Sequence, residues 1–436
     1  MPALGIPLQD TKFTLDASGV AGFFGGDEAI SAMATVHLFK GRKWLGWYNS
    51  PGSYTVAKRF GQLAASRFWD GLFPGPNETP AISFELDGRS GPKYIACFSG
   101  TEMQAGHLGY LTMQRAKEEK GLIHVEGRKA TPSNAAFLEL KDIQYDGKVP
   151  RRDVGNALVA FVPILTSFVA CIVCALVEDW FSFSMILLGI FSSGVACLVI
   201  GFGELSLSTV KTPAPGAPPG DGILIQDETV IVVKGAEKDV NAITKGRFLL
   251  TIGKGPRYDR IGFCSLLLLL LQFLLQLLLI PQGTLFGQIM FLGTLGISWA
   301  YNSYLSSLEK EKIQAKVLFK TLGKPKMRKF RLGTRSTMAV FACLLICDGM
   351  ESPYSGINFG KILRDIILND TPVWQRWRNK VTRQMKEGRL SSESLTQLEV
   401  DEDDRSHLGE SDINLLTTLL KDAKSAFEGY YKHLVS

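Results

Sequence analysis

The sequence predicts an α+β multi-pass membrane protein, with four transmembrane helices in two hairpins and cytosolic α/β domains attached to them. Three observations predict it. Residues 265–280 are almost continuously leucine, interrupted by Gln272 and Gln276 and stopped by Pro281. A helix that is apolar on every side suits lipid, because its backbone is satisfied internally and no face needs water. Hydrophobic residues make up 46% of the 436-residue chain, an average share for a soluble protein, so the apolarity is concentrated in blocks. Finally, short polar turns without Lys or Arg divide those blocks into pairs.

Residues 1–150 read as a cytosolic α+β domain. Strand-like runs cover 34–39, 81–86, 93–98 and 122–126, and helical periodicity covers 54–69 and 107–120. The turns Asn49-Ser50-Pro51-Gly52 and Pro74-Gly75-Pro76-Asn77 separate them. The glycine-rich run at 22–26 lacks the lysine of a phosphate loop and follows no clear strand, so it reads as a turn.

Residues 155–203 form transmembrane hairpin one. The stretch 155–177 is long enough to cross a hydrocarbon core, Pro163 predicts a kink within it, and Glu178 and Asp179 make the turn. The return, 180–203, starts with Trp180 at the interface. On it, Gly189, Ser192, Ser193 and Ala196 offer small side chains against which another helix packs closely. Cys171 and Cys174 form a CxxC in mid-span without polar company, which is packing rather than redox or zinc chemistry. The Pro/Gly linker 212–222 is extended. After it, 223–252 reads as a β-α-β block of a composite cytosolic domain, with strands at 223–233 and 247–252 around a helix at 236–245.

Residues 261–305 form transmembrane hairpin two, with spans 261–280 and 285–305 joined by Pro281-Gln282-Gly283-Thr284. Gln272 and Gln276 share a helix face, Gln288 opens the returning helix, and Asn302 lies near its end. These four are the candidate polar intramembrane contacts, either as hydrogen-bonded glue between helices or as the lining of a pore.

Residues 306–386 hold a basic segment and the remainder of the composite domain. Between 309 and 335 ten Lys and Arg face only Glu309 and Glu311. Lys324, Lys326, Arg328, Lys329 and Arg331 are the candidate contacts for anionic lipid. The apolar run 338–347 is too short to span as a helix and reads as a buried strand added to the 223–252 sheet. Helices follow at 359–368 and 373–386, the second amphipathic with Trp374 and Trp377 on its apolar face. The acidic stretch 388–410 reads as a disordered linker. A C-terminal amphipathic helix, 411–436, carries Leu416, Leu419, Leu420, Ala423, Phe427 and Tyr430 at helical spacing. That face needs a partner, either in cis or in a cytosolic protein.

The net charge of +6 is placed at the ends of the apolar blocks, which points to phospholipid head groups and not to nucleic acid. Lys148, Arg151 and Arg152 precede the first span, Lys254, Arg257 and Arg260 the third, and Lys310, Lys312 and Lys316 follow the fourth. By the positive-inside rule both termini and the 204–260 loop are cytoplasmic, and the N-x-T sequons at Asn77 and Asn369 are expected to stay unglycosylated. The first ten residues have no basic-then-apolar signal pattern, so insertion is expected to be directed by an internal span. Seven cysteines, most of them in apolar blocks, make no disulfide framework. The chain contains no HExxH, GxSxG or Walker motif, and its five histidines are scattered. No catalytic, cofactor or metal site is assigned, and no expected span contains a charged residue, which counts against a proton-coupled carrier.

The runs Val240-Asn241-Ala242-Ile243-Thr244-Lys245-Gly246-Arg247-Phe248 and Asn369-Asp370-Thr371-Pro372-Val373-Trp374 resemble segments of uncharacterised multi-pass membrane proteins of fungi, above all mushroom-forming ones. The resemblance covers the portion after residue 150. It implies a eukaryotic membrane protein and carries over no activity and no functional residue. The functional expectation is therefore an integral membrane protein that anchors cytosolic ligand- or partner-binding domains at the bilayer. The alternative is a small oligomeric channel or transporter lined by the four buried amides.

Overall fold

A computed structural model describes residues 8, 24–63, 71–75, 78–141, 149, 157–208, 213–251, 256–348, 356–387 and 398–435. Its helices are α1 (Gly26–Leu38), α2 (Ser53–Leu63), α3 (Pro80–Ser83), α4 (His107–Glu118), α5 (Ala157–Leu176), α6 (Trp180–Gly201), α7 (Glu237–Thr244), α8 (Pro256–Leu279), α9 (Leu285–Ser306), α10 (Lys310–Thr321), α11 (Arg335–Cys347), α12 (Phe359–Ile366), α13 (Pro372–Glu387), α14 (Glu402–His407) and α15 (Glu410–Tyr430). The strands are β1 (Lys93–Ala96), β2 (Glu102–Gln104), β3 (Leu122–His124), β4 (Ser133–Leu140), β5 (Glu204–Leu207), β6 (Gly222–Gln226), β7 (Thr229–Gly235), β8 (Phe248–Thr251) and β9 (Met327–Leu332). The chain divides into two compact units: Met1–Gly88, Gly147–Leu207 and Phe248–Val317 form the first, and Arg89–Asp146, Ser208–Arg247 and Leu318–Ser436 the second.

The first unit is a helix bundle. Three of its helical stretches are long and apolar enough to cross a membrane: Leu158–Leu176, Trp180–Gly201 and Gly262–Gln282. The first and third are only 33% buried, and α5 turns Leu158, Val162, Leu165, Val169 and Ile172 outward. An exposed apolar surface of that extent suits lipid and not water. The fourth expected span forms as α9, a 22-residue helix, but it falls short of the other three in apolarity, diluted by Gln288, Thr294, Ser298 and Asn302. Pro163 lies inside α5 without ending it. At the first hairpin turn Glu178 takes a positive φ of 62°, and Asp179 caps α6 by accepting the Ser182 N–H at 3.0 Å.

Residues 24–63 join this bundle, which corrects the reading of 1–150 as one soluble domain. The run 34–39 belongs, up to Leu38, to helix α1 and not to a strand. Eleven of the 13 residues of α1 are buried, and a helix covered on every side loses the 3.6-residue period that would betray it. The run 81–86 likewise begins as a helical turn, α3, started by Pro80. The predicted helix 54–69 is present as α2 up to Leu63, and its remainder lies outside the described residues.

The second unit is a three-layer α/β/α sandwich around a seven-stranded mixed sheet of order β2-β1-β6-β7-β4-β9-β3. β4 runs parallel to β7, and β3 parallel to β9. Alternate residues of the central strands (Ile223, Val230, Val232, Ala135, Phe137, Phe330, Leu332) pack with α11, α12, α13 and α15 in one core cluster. Their neighbours point to the opposite face, which α4 and α7 cover.

Two expectations fail here for physical reasons. Residues 338–347 are not a strand but most of helix α11, buried from Ser336 to Ile346 and capped by Thr334, which accepts the Thr337 N–H. An apolar run enclosed on all sides carries no period to separate strand from helix. The strand that extends the sheet is β9, hidden in the basic segment, where Phe330 and Leu332 alternate inward with charged residues. The 223–252 block is not a β-α-β unit. Its first strand is the hairpin β6-β7, folded at Asp227 with φ 53°, and its last, β8, pairs with β5 in a separate two-stranded sheet of the first unit.

The acidic stretch is ordered wherever it is described, residues 388–397 lying outside the described set. Leu398 is in the core, and Asp401 opens α14 with a capping box closed by Asp404. Arg376 reaches Asp403 at 2.7 Å and Asp404 at 3.0 Å, and Lys380 reaches Asp401 at 2.7 Å and Asp404 at 2.8 Å. The acidic run is thus the counter-charge of α13, whose Val373, Trp377 and Val381 are buried. The apolar stripe of α15 is covered in cis: Leu416, Leu419, Leu420, Ala423, Phe427 and Tyr430 are all buried.

Candidate functional site

Between α1 and α2 the chain leaves regular structure except for one 3-10 turn, Arg42–Trp44. Residues 46–50 of this segment are threaded into the middle of the bundle. The Asn49 N–H donates to Ser167 Oγ of α5 at 3.0 Å, and its side-chain amide donates to Thr294 Oγ1 of α9 at 3.0 Å. A Cβ on Gly189 of α6 would stand 1.9 Å from Asn49 Oδ1, and one on Gly194 would stand 2.2 Å from the Trp47 ring. Gln272 Nε2 of α8 donates to the Ser50 carbonyl at 3.5 Å. Ser167, Gly189, Gln272 and Thr294 each lie within about two residues of the middle of their helix or apolar stretch, so Asn49 and Ser50 sit at mid-bundle. Non-helical backbone at that depth needs protein partners for its polar groups, and these side chains supply them.

The four predicted amides therefore divide. Gln272 and Asn302 hold the inserted segment; Asn302 accepts from Tyr48 Oη at 2.7 Å and donates to Ser50 Oγ at 3.2 Å. Gln288 serves its own turn, donating to the Gly283 carbonyl at 3.1 Å. Gln276 is buried, and its Nε2 has no hydrogen-bond partner among the described residues. Of the small residues of α6 expected to admit another helix, Gly189 admits the loop, whereas Ser192 does meet a helix, donating to the Leu268 carbonyl of α8 at 3.3 Å.

Arg42, which no sequence motif marks, and Asp179, expected only as part of the first hairpin turn, complete the picture. Arg42 is 3% exposed. It donates to the Leu45 carbonyl at 2.9 Å and to Tyr48 Oη at 3.5 Å, and its guanidinium lies 5.4 Å from the Tyr301 ring centroid. No carboxylate pairs with it among the described residues, and its Nε is unpartnered. Arginine stays charged, so a cation rests against α6 and α9 although no span contains one. Asp179 ties the two hairpin turns together. It accepts from the Thr284 N–H at 2.8 Å and hydroxyl at 2.6 Å, in addition to the Ser182 N–H and hydroxyl. Gly287 is required beside it, since a Cβ there would stand 1.9 Å from Asp179 Oδ2.

In the second unit the five predicted lipid contacts do not form one patch. Strand alternation sends Lys329 to the α4 face, where it is 8% exposed and donates to the Lys117 carbonyl at 2.8 Å. Burial holds its ammonium below the ordinary lysine pKa. Arg331 shares that parity and is exposed. Lys324 sits in the turn after α10 with φ 56°. Only Lys326 and Arg328 line a cleft, of about 780 Å³, together with Lys141 and Lys320. Lys320 lies within the basic run but was not among the five, and Lys141 was missed because it is distant in sequence and meets the run only when β4 and β9 pair.

Comparison with protein-family models, with curated proteins and with solved structures finds no match.

Proposed function

We propose that the protein is an integral membrane anchor: α5, α6, α8 and α9 cross the bilayer, and the α/β/α module is held on the cytoplasmic side as the ligand-binding part. The observation that carries this reading is the order of the chain. One seven-stranded sheet takes β1–β4, β6–β7 and β9 from three segments, and a helical hairpin separates each segment from the next. With four spans, all three segments emerge on the same side, as a single sheet requires. Lys310, Lys312 and Lys316 after α9 favour the cytoplasm for that side; Lys148, Arg151, Arg152 and Lys254 lie outside the described residues. In sealed microsomes, protease added without detergent is expected to cleave in the module, and Asn369, exposed in the turn before α13, is expected to carry no glycan. A module protected until detergent is added would overturn the reading.

A second reading, a transporter or channel, is favoured by the inserted segment at mid-bundle, an arrangement used where solutes bind. Against it, Gln272 and Asn302 are engaged by residues 48–50 and do not line an open path. Solute flux into proteoliposomes that is lost in Asn49→Ala would favour this second reading over the first.

A further inference from the structure

We infer that the cleft between the end of α10 and the β4-β9 edge is a binding site for a ligand with clustered phosphates. The inference deepens the anchor reading and rests on it for the side of the membrane on which the ligand is met. Lys141, Lys320, Lys326 and Arg328 line the cleft, and Glu139 is the one carboxylate among its lining residues. Glu139 is paired with Lys141 at 2.8 Å. Lys320 and Lys326 have no ion-pair partner among the described residues, so two ammonium groups face the cleft without a counter-charge. Arg328 is held by the Phe137 ring, 4.9 Å from its guanidinium, and by Asp348 at 3.6 Å. A stacked guanidinium keeps its fork oriented, which favours two-point recognition of a phosphate.

The C-terminal end of α10 adds partial negative charge here, equivalent to about half an elementary charge. That is smaller than the excess of the four cations over Glu139 and Asp348. A concave wall lined by one sign of charge focuses the field and raises the local concentration of the opposite ion. The volume, about 780 Å³, is within the range of small-molecule sites and exceeds what a single inorganic ion needs. Clustered phosphates come from two sources, a soluble polyphosphorylated metabolite and a phosphoinositide headgroup, and the chemistry of the cleft is the same for both.

The test uses the full chain in phosphatidylcholine nanodiscs, with inorganic tripolyphosphate as the probe, titrated by calorimetry at two salt concentrations. Saturable binding that weakens with salt is expected. Lys320→Gln/Lys326→Gln should weaken it roughly tenfold or more, because each ammonium that neutralises a phosphate contributes separately. Lys324→Gln, outside the cleft, should leave it unchanged, and an unaltered melting temperature excludes misfolding. Repeating the titration in nanodiscs doped with phosphatidylinositol 4,5-bisphosphate identifies the source: competition supports the headgroup, and undiminished binding supports the soluble phosphate. Absence of saturable binding, or equal affinity in the double glutamine variant, would overturn the site. Membrane orientation does not enter this measurement, so its failure is distinct from a failure of the anchor reading, which the protease experiment reports.

Discussion

At the scale of single residues, Asp179 and Asn49 do the most to shape the bundle. Asp179 is 3% exposed and accepts four hydrogen bonds, so Asp179→Ala strands buried donors at both hairpin turns. Hydrogen bonds to charged groups are worth about 1.5–3 kcal/mol each when made, and a loss of about 3 kcal/mol is expected, read as a drop in melting temperature in detergent. A loss below about 0.5 kcal/mol would contradict the role given to Asp179. Gly189→Val places a branched side chain where Asn49 Oδ1 already stands and is expected to cost about 1–3 kcal/mol, as overpacking does; Gly293→Val, whose Cβ meets nothing within 4 Å, is the matched control. Gln272 and Asn302 were legible as amides in need of a partner, because each lies inside an apolar block. Their partner, the Ser50 backbone and side chain, was not legible. Residues 46–52 contain glycine, proline and polar groups that read equally well as a surface turn, and only the tertiary fold shows them enclosed.

Among the elements, the long apolar helices and their turns stood out in the sequence, since nothing soluble mimics 20 apolar residues in a row. Short buried elements did not. α1 and α11 are enclosed on nearly all sides and read as strands, while β9 was obscured because Lys and Arg interrupt its apolar positions. The clamp between α13 and α14 offers a pH test. The hydrogen bond from Lys380 draws the Asp401 carboxyl down to about 2, and Arg376 lowers that of Asp403. A carboxyl whose folded pKa is depressed contributes fully above its unfolded pKa, about 3.9 for Asp, and that contribution is lost as the pH falls through the folded value. Acidification from pH 7 to 5 should therefore leave the clamp intact, and the range from about 4 to 2 should open it. Hydrogen exchange over 398–410 is the readout; loosening complete by pH 5.5 would show that these ion pairs do not hold the segment.

For the molecule as a whole, the chain passes between its two units five times. A module that merely hung from a terminal helix would be separable by one cut, whereas here one sheet depends on three segments. The sequence reading recognised a composite domain but misplaced its boundaries, because strand partners far apart in sequence leave no local signal. The central claim is that the hairpin turns lie on the opposite side of the membrane from the module. The most direct measurement is labelling of single cysteines, in a cysteine-free background, by a membrane-impermeant maleimide in intact cells and after permeabilisation. Gln282→Cys, at the exposed second turn, and Lys324→Cys, in the module, form the decisive pair. The account predicts that the two positions are labelled from opposite sides, with Lys324→Cys reached from the cytoplasm. Labelling of both from the same side would contradict it.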